Sequence, residues 1–354
     1  MIVPDRPEWI DDITFEESKT VSRKAKGGVL ETDRDLAGVL LEVDGRLAVG
    51  VADALAEYAD SPYSLVQKVR VSGTSKKRRV KETFFELEGS IIRERALHYS
   101  GRAPYSTGAL AVAQGDKDFR FMLPVWFIPE GIPISIASQY VIPSADYDSL
   151  ILEVDCGDGL AVLNPDTTTT YTFSAFGSAA GSPRIRVHGI YAQWGSGGRG
   201  FEPGLIWKSS KENVSADLAA SQQNFRIMNL LTGHLLRSLM VKAGVVSTTT
   251  TAKQRAYASL SNTILSELKL NTGTNKLARY FADFLTLREY AAQLARVAAT
   301  DGYGLLDFCG LGDLSTAFPE PANADADFYL KADVVGAASQ AVTLAFDEIR
   351  VRPS

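Results

Sequence analysis

The sequence has little of what several functional classes require. Its 354 residues include two cysteines, Cys156 and Cys309, which lie in different halves and in no metal-ligand spacing. That excludes a disulfide framework or a zinc module and leaves buried free thiols as the expectation, ahead of one bridge between the halves. The three histidines, His98, His188 and His234, are scattered with no carboxylate at ligand spacing, so a cupin-type metal centre lacks its converging imidazoles. A basic surplus is missing too. The formal net charge is −5, which argues against a nucleic-acid binder. No stretch approaches the roughly 20 apolar residues that span a bilayer. The opening MIVPDRPEWIDDITFEES is too acidic for a secretory signal, so synthesis and folding in a cytoplasm are expected. There is no G-x-S-x-G and no cysteine with a plausible histidine partner. No catalytic, cofactor or metal residue is assigned, and the expectation is a protein that is not an enzyme.

What is present is an internal repeat. Val69-Arg70-Val71 followed by Gly73, Thr74 and Lys76 returns as Leu268-Lys269-Leu270 followed by Gly273, Thr274 and Lys276. Leu36 to Gly45 lies over Leu235 to Gly244 at the same offset of about two hundred, and Phe84 to Leu87 over Phe284 to Leu287. Order and spacing agree across some fifty positions, which one duplication explains and chance does not. The length also exceeds the roughly 250–300 residues at which a single core stops growing, so two domains are expected. Hydrophobic residues at 45% and charged residues at 22% are those of an ordinary globular protein rather than a disordered one.

Taken in order, residues 1–28 mix Pro4, Pro7 and acidic pairs with Lys19, Arg23, Lys24 and Lys26, and read as an arm outside the first core. Residues 29–200 read as the first domain. Its alternating bursts are strands, Asp44-Gly45 is a hairpin turn, and apolar spacing from Lys81 to Leu97 predicts a helix. Further strands follow at 109–113, 119–128, 149–154, 171–173 and 185–191, split by turn signals at the intervals of an antiparallel sandwich. Residues 201–227 have linker composition. Residues 228–354 read as the second domain, with strands at 235–246, 263–270, 328–335 and 341–346 and a helix carrying Leu277, Phe281, Phe284, Leu294 and Val297. The fold class is all-β: two tandem eight-stranded jelly rolls, each with an inserted short helix.

Candidate chemistry resolves to bland readings. Gly195 to Gly200 matches G-x-G-x-x-G, but Phe201-Glu202-Pro203-Gly204 does not begin the helix a dinucleotide needs. Asp155, Asp158 and Asp166, or Asp325 and Asp327, lack the spaced pattern of a calcium loop and are ordinary turn residues. The run from Lys76 to Arg79 has no interleaved aromatics and reads as a solvated loop or subunit contact. Trp126, Trp194 and Trp207 offer stacking surfaces for sugars, with core packing the better reading for Trp126.

Two copies of one strand plan, carried by Asp35 to Gly45 and Leu65 to Val71 with their returns at Leu235 and Leu268, resemble the double jelly-roll major capsid proteins. These build tailless icosahedral viruses that enclose a membrane, the lineage shared by bacteriophage PRD1 and adenovirus. The resemblance spans about Asp35 to Arg350 and is architectural. It implies a homotrimer forming a pseudo-hexagonal capsomer in a virion, made in a host cytoplasm. It further implies contacts with neighbouring capsomers, penton or vertex proteins and, through the N-terminal arm, an internal membrane, with no specific nucleic acid. The alternative is a two-domain β-sandwich carbohydrate-binding module or adhesive phage structural protein.

Overall fold

Alternating apolar and polar residues pair into sheets because each strand can then bury one face and wet the other. The computed structural model describes residues 2–4, 8–10, 19–24, 34–50, 56–58, 60–107, 110, 115–130, 138–157, 163–164, 171–192, 206–214, 221–229, 235–246, 257–271, 277–281, 283–309, 318–319, 329–334 and 340–351. The first half forms β1 (Ile2–Pro4), β2 (Glu8–Ile10), β3 (Lys19–Lys24), β4 (Leu36–Val49), β5 (Ala56–Glu57), β6 (Val66–Ser75), β7 (Lys81–Leu87), helix α1 (Gly89–Ser100), β8 (Gly115–Trp126), β9 (Tyr147–Cys156), β10 (Leu163–Asn164), β11 (Tyr171–Ser174) and β12 (Arg184–Ala192). The second forms β13 (Ile206–Val214), β14 (Gln222–Asn229), β15 (Leu235–Val246), β16 (Tyr257–Leu260), β17 (Leu265–Asn271), β18 (Leu277–Phe281), helix α2 (Phe284–Ala295), β19 (Tyr303–Asp307), β20 (Phe318–Pro319), β21 (Tyr329–Val334) and β22 (Gln340–Val351).

One pairing scheme occurs twice. In the first half β4 lies between β12 and β8, and the facing sheet runs β7, β6, β9, β3. In the second half β15 lies between β22 and β19, and the facing sheet runs β18, β17, β21, β14. Each half is a jelly roll, and the whole is an all-β double jelly roll with, among the described residues, one twelve-residue helix per roll. The helices follow equivalent hairpins, β6–β7 and β17–β18. Neither described helix is long and apolar enough to cross a membrane.

Each roll has its own core. Leu41, Val43, Leu47, Val71, Phe121, Leu123 and Leu152 fill the first, and Leu239, Val241, Leu268, Phe284, Val342 and Leu344 the second. The apolar-basic-apolar triplet near the start of the repeat shows the logic. Val69 and Val71 are fully buried, while Arg70 faces outward opposite Glu86 on β7 and Glu153 on β9. Arg70 holds Glu86 through two bonds of 2.9 and 3.1 Å, and Lys68 adds a third of 3.2 Å. Hydrogen bonding from Arg70, outweighing partial burial and joined by the charge of Lys68, holds the Glu86 carboxyl below the usual range. A depressed acid contributes stability above its unfolded-state value and loses it as pH falls through the folded one. Glu86→Gln should therefore lose less stability than the parent between pH 7 and pH 3, by up to about 1 kcal/mol for so exposed a pair. Urea midpoints at the two pH values measure this.

Several expectations are corrected. Asp44 and Gly45 make no hairpin turn. β4 runs straight through them, paired with β8 without a break from Gly38 to Val49. Gly45 serves close packing, since a Cβ there would meet Phe119 Cζ at 2.7 Å. Asp44 is fully buried, 3.5 Å from both Arg120 and Arg184. The helix expected over 81–97 starts only at Gly89; Phe84, Phe85 and Leu87 belong to β7, because Thr83 and the two phenylalanines favour a pleated surface. Likewise Leu277 and Phe281 bound the strand β18, and α2 begins at Phe284 behind Asp283, whose side chain caps Thr286. Phe84 on a strand and Phe284 on a helix are thus not equivalent, and the repeat drifts by a few residues beyond the hairpin, Gly273 itself lying outside the described residues.

From the N-terminal arm, β1 and β2 pair with β12, and β3 pairs with β9 over six positions, so these strands cap sheet edges of the first roll. Residues 201–227 were expected as linker, yet β13 occupies their middle. It pairs antiparallel with β22 over nine positions and parallel with β7 at Ser210 and Lys211. A ten-stranded sheet therefore runs from the first roll into the second.

Candidate functional site: a charged seam between the rolls

With two cores each facing inward, the remaining question is what the rolls present to each other. On β22, Val342, Leu344 and Phe346 pack in the second roll, so alternation sends Thr343, Ala345 and Asp347 to the opposite face. On β15 the same alternation sends Met240 and Lys242 there, and a register shift between Leu236 and Ser238 lets Arg237 join them. The first roll answers with α1 and flanking loops. Met240, Tyr303, Leu305 and Ala345 of the second roll belong to the first roll's core cluster. The seam is therefore apolar, with two charged knots in it.

The first knot gathers Arg95 from α1, Glu130 after β8, Arg237 from β15 and Asp347 from β22. Arg237 is fully buried and Asp347 is 1% exposed. Asp347 bonds Arg95 and Ser210 of β13, the latter at 2.6 Å, and lies 3.4 Å from Arg237. Glu130 is 3.2 Å from Arg95 and 3.1 Å from Arg237. The Arg237 guanidinium also stacks 4.5 Å over the Tyr99 ring. Two cations meet two anions, and Asp307 adds a further carboxylate's pull on Arg237. Burial opposes the charge of both arginines, but the surrounding carboxylates prevail and raise both. Burial pushes the Tyr99 phenol up.

The second knot centres on Lys242, 2% exposed in the side chain. Its Nζ lies 2.5 Å from Asp60 Oδ2, 2.5 Å from Glu88 Oε1 and 2.9 Å from Ser90 Oγ. Ser90 in turn donates to Glu88 at 2.6 Å, and Tyr303 donates to Asp60 Oδ1 at 3.1 Å. The Tyr257 ring covers Nζ at 4.2 Å. Asp60, Glu88 and Ser90 come from the first roll; Lys242, Tyr257 and Tyr303 come from the second. Burial would lower the Lys242 pKa, but Asp60 and Glu88 together raise it. Asp60 is pushed up, chiefly by burial.

These groups leave a partial mark in the local sequence. A lysine or arginine inside LLRSLMVKAGVV, and an aspartate inside AVTLAFDEI, break otherwise apolar strands. Such a break marks a buried ion, although nothing in it names the partner more than a hundred residues away. Among the residues singled out beforehand, His98 ends α1 with Nδ1 2.9 Å from the Glu94 carbonyl, and His188 faces Glu42 at 3.6 Å. His234, the Gly195–Gly200 motif, Asp158, Asp166, Asp325, Asp327 and Trp194 lie outside the described residues, as does the Trp207 side chain. Asp155 sits on β9 opposite Thr20 and Lys68. No described group of three His, Cys, Asp or Glu residues has a metal-holding arrangement. Cys156 and Cys309 are buried free thiols. Lys76 and Lys77 are exposed at the β6–β7 turn, where Lys76 Nζ reaches the Ala145 carbonyl at 2.6 Å. Trp126 packs half-buried against the Ala37 side of β4.

No family model and no curated protein matches the sequence. Solved structures do. The MCP of STIV, the Sulfolobus Turreted Icosahedral Virus, matches with a TM-score of 0.68 at 14% identity, covering 99% of this chain and 97% of that one. The PBCV-1 virus capsid matches at 0.58 and 13% identity, covering 99% and 93%. The major capsid protein P2 of bacteriophage PM2 matches at 0.53 and 9% identity, covering 99% and 100%. At these identities the likeness is one of fold, over the full length of both partners. The chain has the double jelly-roll fold of viral major capsid proteins.

Proposed function

We propose that this chain is a major capsid protein whose homotrimers form the pseudo-hexagonal capsomers of an icosahedral virion. The observation that carries the reading is the seam: two rolls of one plan are fastened side by side by a shared sheet and two buried ion knots. A subunit that presents two similar lobes at fixed orientation gives a three-fold assembly six similar edges, and so lets one gene product tile a closed shell. The full-length likeness to capsid chains supports the same reading. So does helix α2, which leaves Leu285, Tyr290 and Leu294 about half exposed, an apolar surface suited to a subunit contact.

Contacts with neighbouring capsomers, vertex proteins and an internal membrane belong to this proposal, as does synthesis in a host cytoplasm before incorporation into the virion. A structural rather than catalytic role fits the charged groups described, which bind one another rather than facing an open site. Light scattering on the purified chain should give the mass of three copies, and negative-stain microscopy should show pseudo-hexagonal particles. A monomer that binds glycans on an array would overturn the reading in favour of an adhesive module.

A further inference from the structure

The second knot holds more than an ion pair. Lys242 Nζ sits 2.5 Å from Asp60 Oδ2, yet that oxygen has no hydrogen-bond partner, so the approach is close without hydrogen-bond geometry. The other carboxyl oxygen, Oδ1, accepts the Tyr303 hydroxyl at 3.1 Å. A second carboxylate, Glu88, is 2.5 Å from the same nitrogen and is steadied by Ser90. All of these groups are shut away from water behind the Tyr257 and Tyr303 rings. We propose that Lys242 and Asp60 condense into an amide, a covalent cross-link between the two rolls, with Glu88 as proton relay.

The step balances without any added reagent. One proton of the Lys242 ammonium passes to Asp60 Oδ2 and makes the carboxyl group neutral and electrophilic. A second passes to Glu88 as the nitrogen lone pair attacks Asp60 Cγ, forming the C–N bond. Negative charge then collects on Oδ1, where the Tyr303 hydroxyl already donates. Glu88 returns its proton to Oδ2, the Cγ–Oδ2 bond breaks with its electron pair on oxygen, and one water leaves. The third proton stays on the amide nitrogen. Burial favours the neutral forms of both groups, against the two carboxylates that hold the Lys242 ammonium charged. It raises Asp60 toward its neutral form, and it fixes amine and acid in contact, an advantage worth effective molarities of about 10⁵–10⁸ M in well-oriented pairs. Condensation replaces the Lys242–Asp60 ion pair by a neutral amide and leaves the Glu88 carboxylate held by Ser90.

The inference stands apart from the capsid reading, since it concerns a single chain. Intact mass spectrometry of the denatured full-length protein should find it one water lighter than its sequence, and a tryptic digest should contain one branched peptide joining the Asp60 and Lys242 segments. A wild-type chain at its full sequence mass would overturn the proposal whatever any variant does. Glu88→Gln should restore the full mass in a chain that retains the parent's circular dichroism. A folded Glu88→Gln chain that still lacks the water would overturn the relay.

Discussion

Asp347→Ala should lower the unfolding free energy by about 3–5 kcal/mol. The reason is arithmetic of charge. Arg95, Arg237, Glu130 and Asp347 form a neutral set with Arg237 fully buried. Removing Asp347 leaves two buried guanidinium groups with Glu130 and the more distant Asp307 as their remaining carboxylates, and Ser210 loses its acceptor. Asp347→Asn should cost nearly as much, because it keeps the volume and removes the charge. Replacing Arg95, Arg237, Glu130 and Asp347 together with apolar residues of similar size should recover much of the loss, since a buried ionic set contributes little beyond its own desolvation. Guanidinium titrations of the four proteins decide the matter. A change below about 1 kcal/mol for Asp347→Ala would be that of a solvated surface pair and would deny the seam its structural role.

How much of this was legible in the sequence depends on the range of the interaction. The strands at 235–246, 263–270, 328–335 and 341–346 coincide with β15, β17, β21 and β22 to within a few residues, because alternation is a local property of the chain. The repeated plan was legible for the same reason: β4 and β15 hold the same central place in their rolls. Local signals failed where tertiary packing redefined them. Asp44-Gly45 has hairpin chemistry, yet the half-exposed Arg120 and Arg184 beside the buried Asp44, together with the Phe119 ring, hold it inside a straight strand. Phe84 and Leu87 fit a helical period as well as a strand, and pairing with β6 and β13 decided for the strand.

Which charges pair across the seam was not legible, for one physical reason. Asp60 and Lys242, like Arg95 and Asp347, are joined only once both rolls exist and dock. Nothing in either local segment says which opposite charge it will meet. The polar composition of residues 201–227 misled for the complementary reason. Lys208-Ser209-Ser210-Lys211-Glu212 has the letters of a loop, but β22 on one side and β7 on the other supply the backbone partners that make it an interior strand.

That placement makes Ser210→Pro the second large effect, and one that separates backbone from side chain. Ser210 pairs with Asp347 of β22 on one side and with Phe85 of β7 on the other, in the middle of the ten-stranded sheet. A proline there removes an N–H whose partner lies on one neighbouring strand and forces its ring against the ladder, at a cost of about 3 kcal/mol or more. Ser210→Ala removes only the hydroxyl donated to Asp347 and should cost about 1.5–3 kcal/mol. The variants should also differ in kind. With the sheet cut at β13, the rolls no longer share a continuous ladder, so calorimetry of Ser210→Pro should resolve two transitions where the parent and Ser210→Ala show one. If the chain assembles into the trimer proposed above, light scattering should find the proline variant unable to do so, because its two lobes no longer meet their neighbours at a fixed angle. A Ser210→Pro chain that unfolds in one step at the parent's midpoint would show that β13 merely crosses between the rolls and does not bind them.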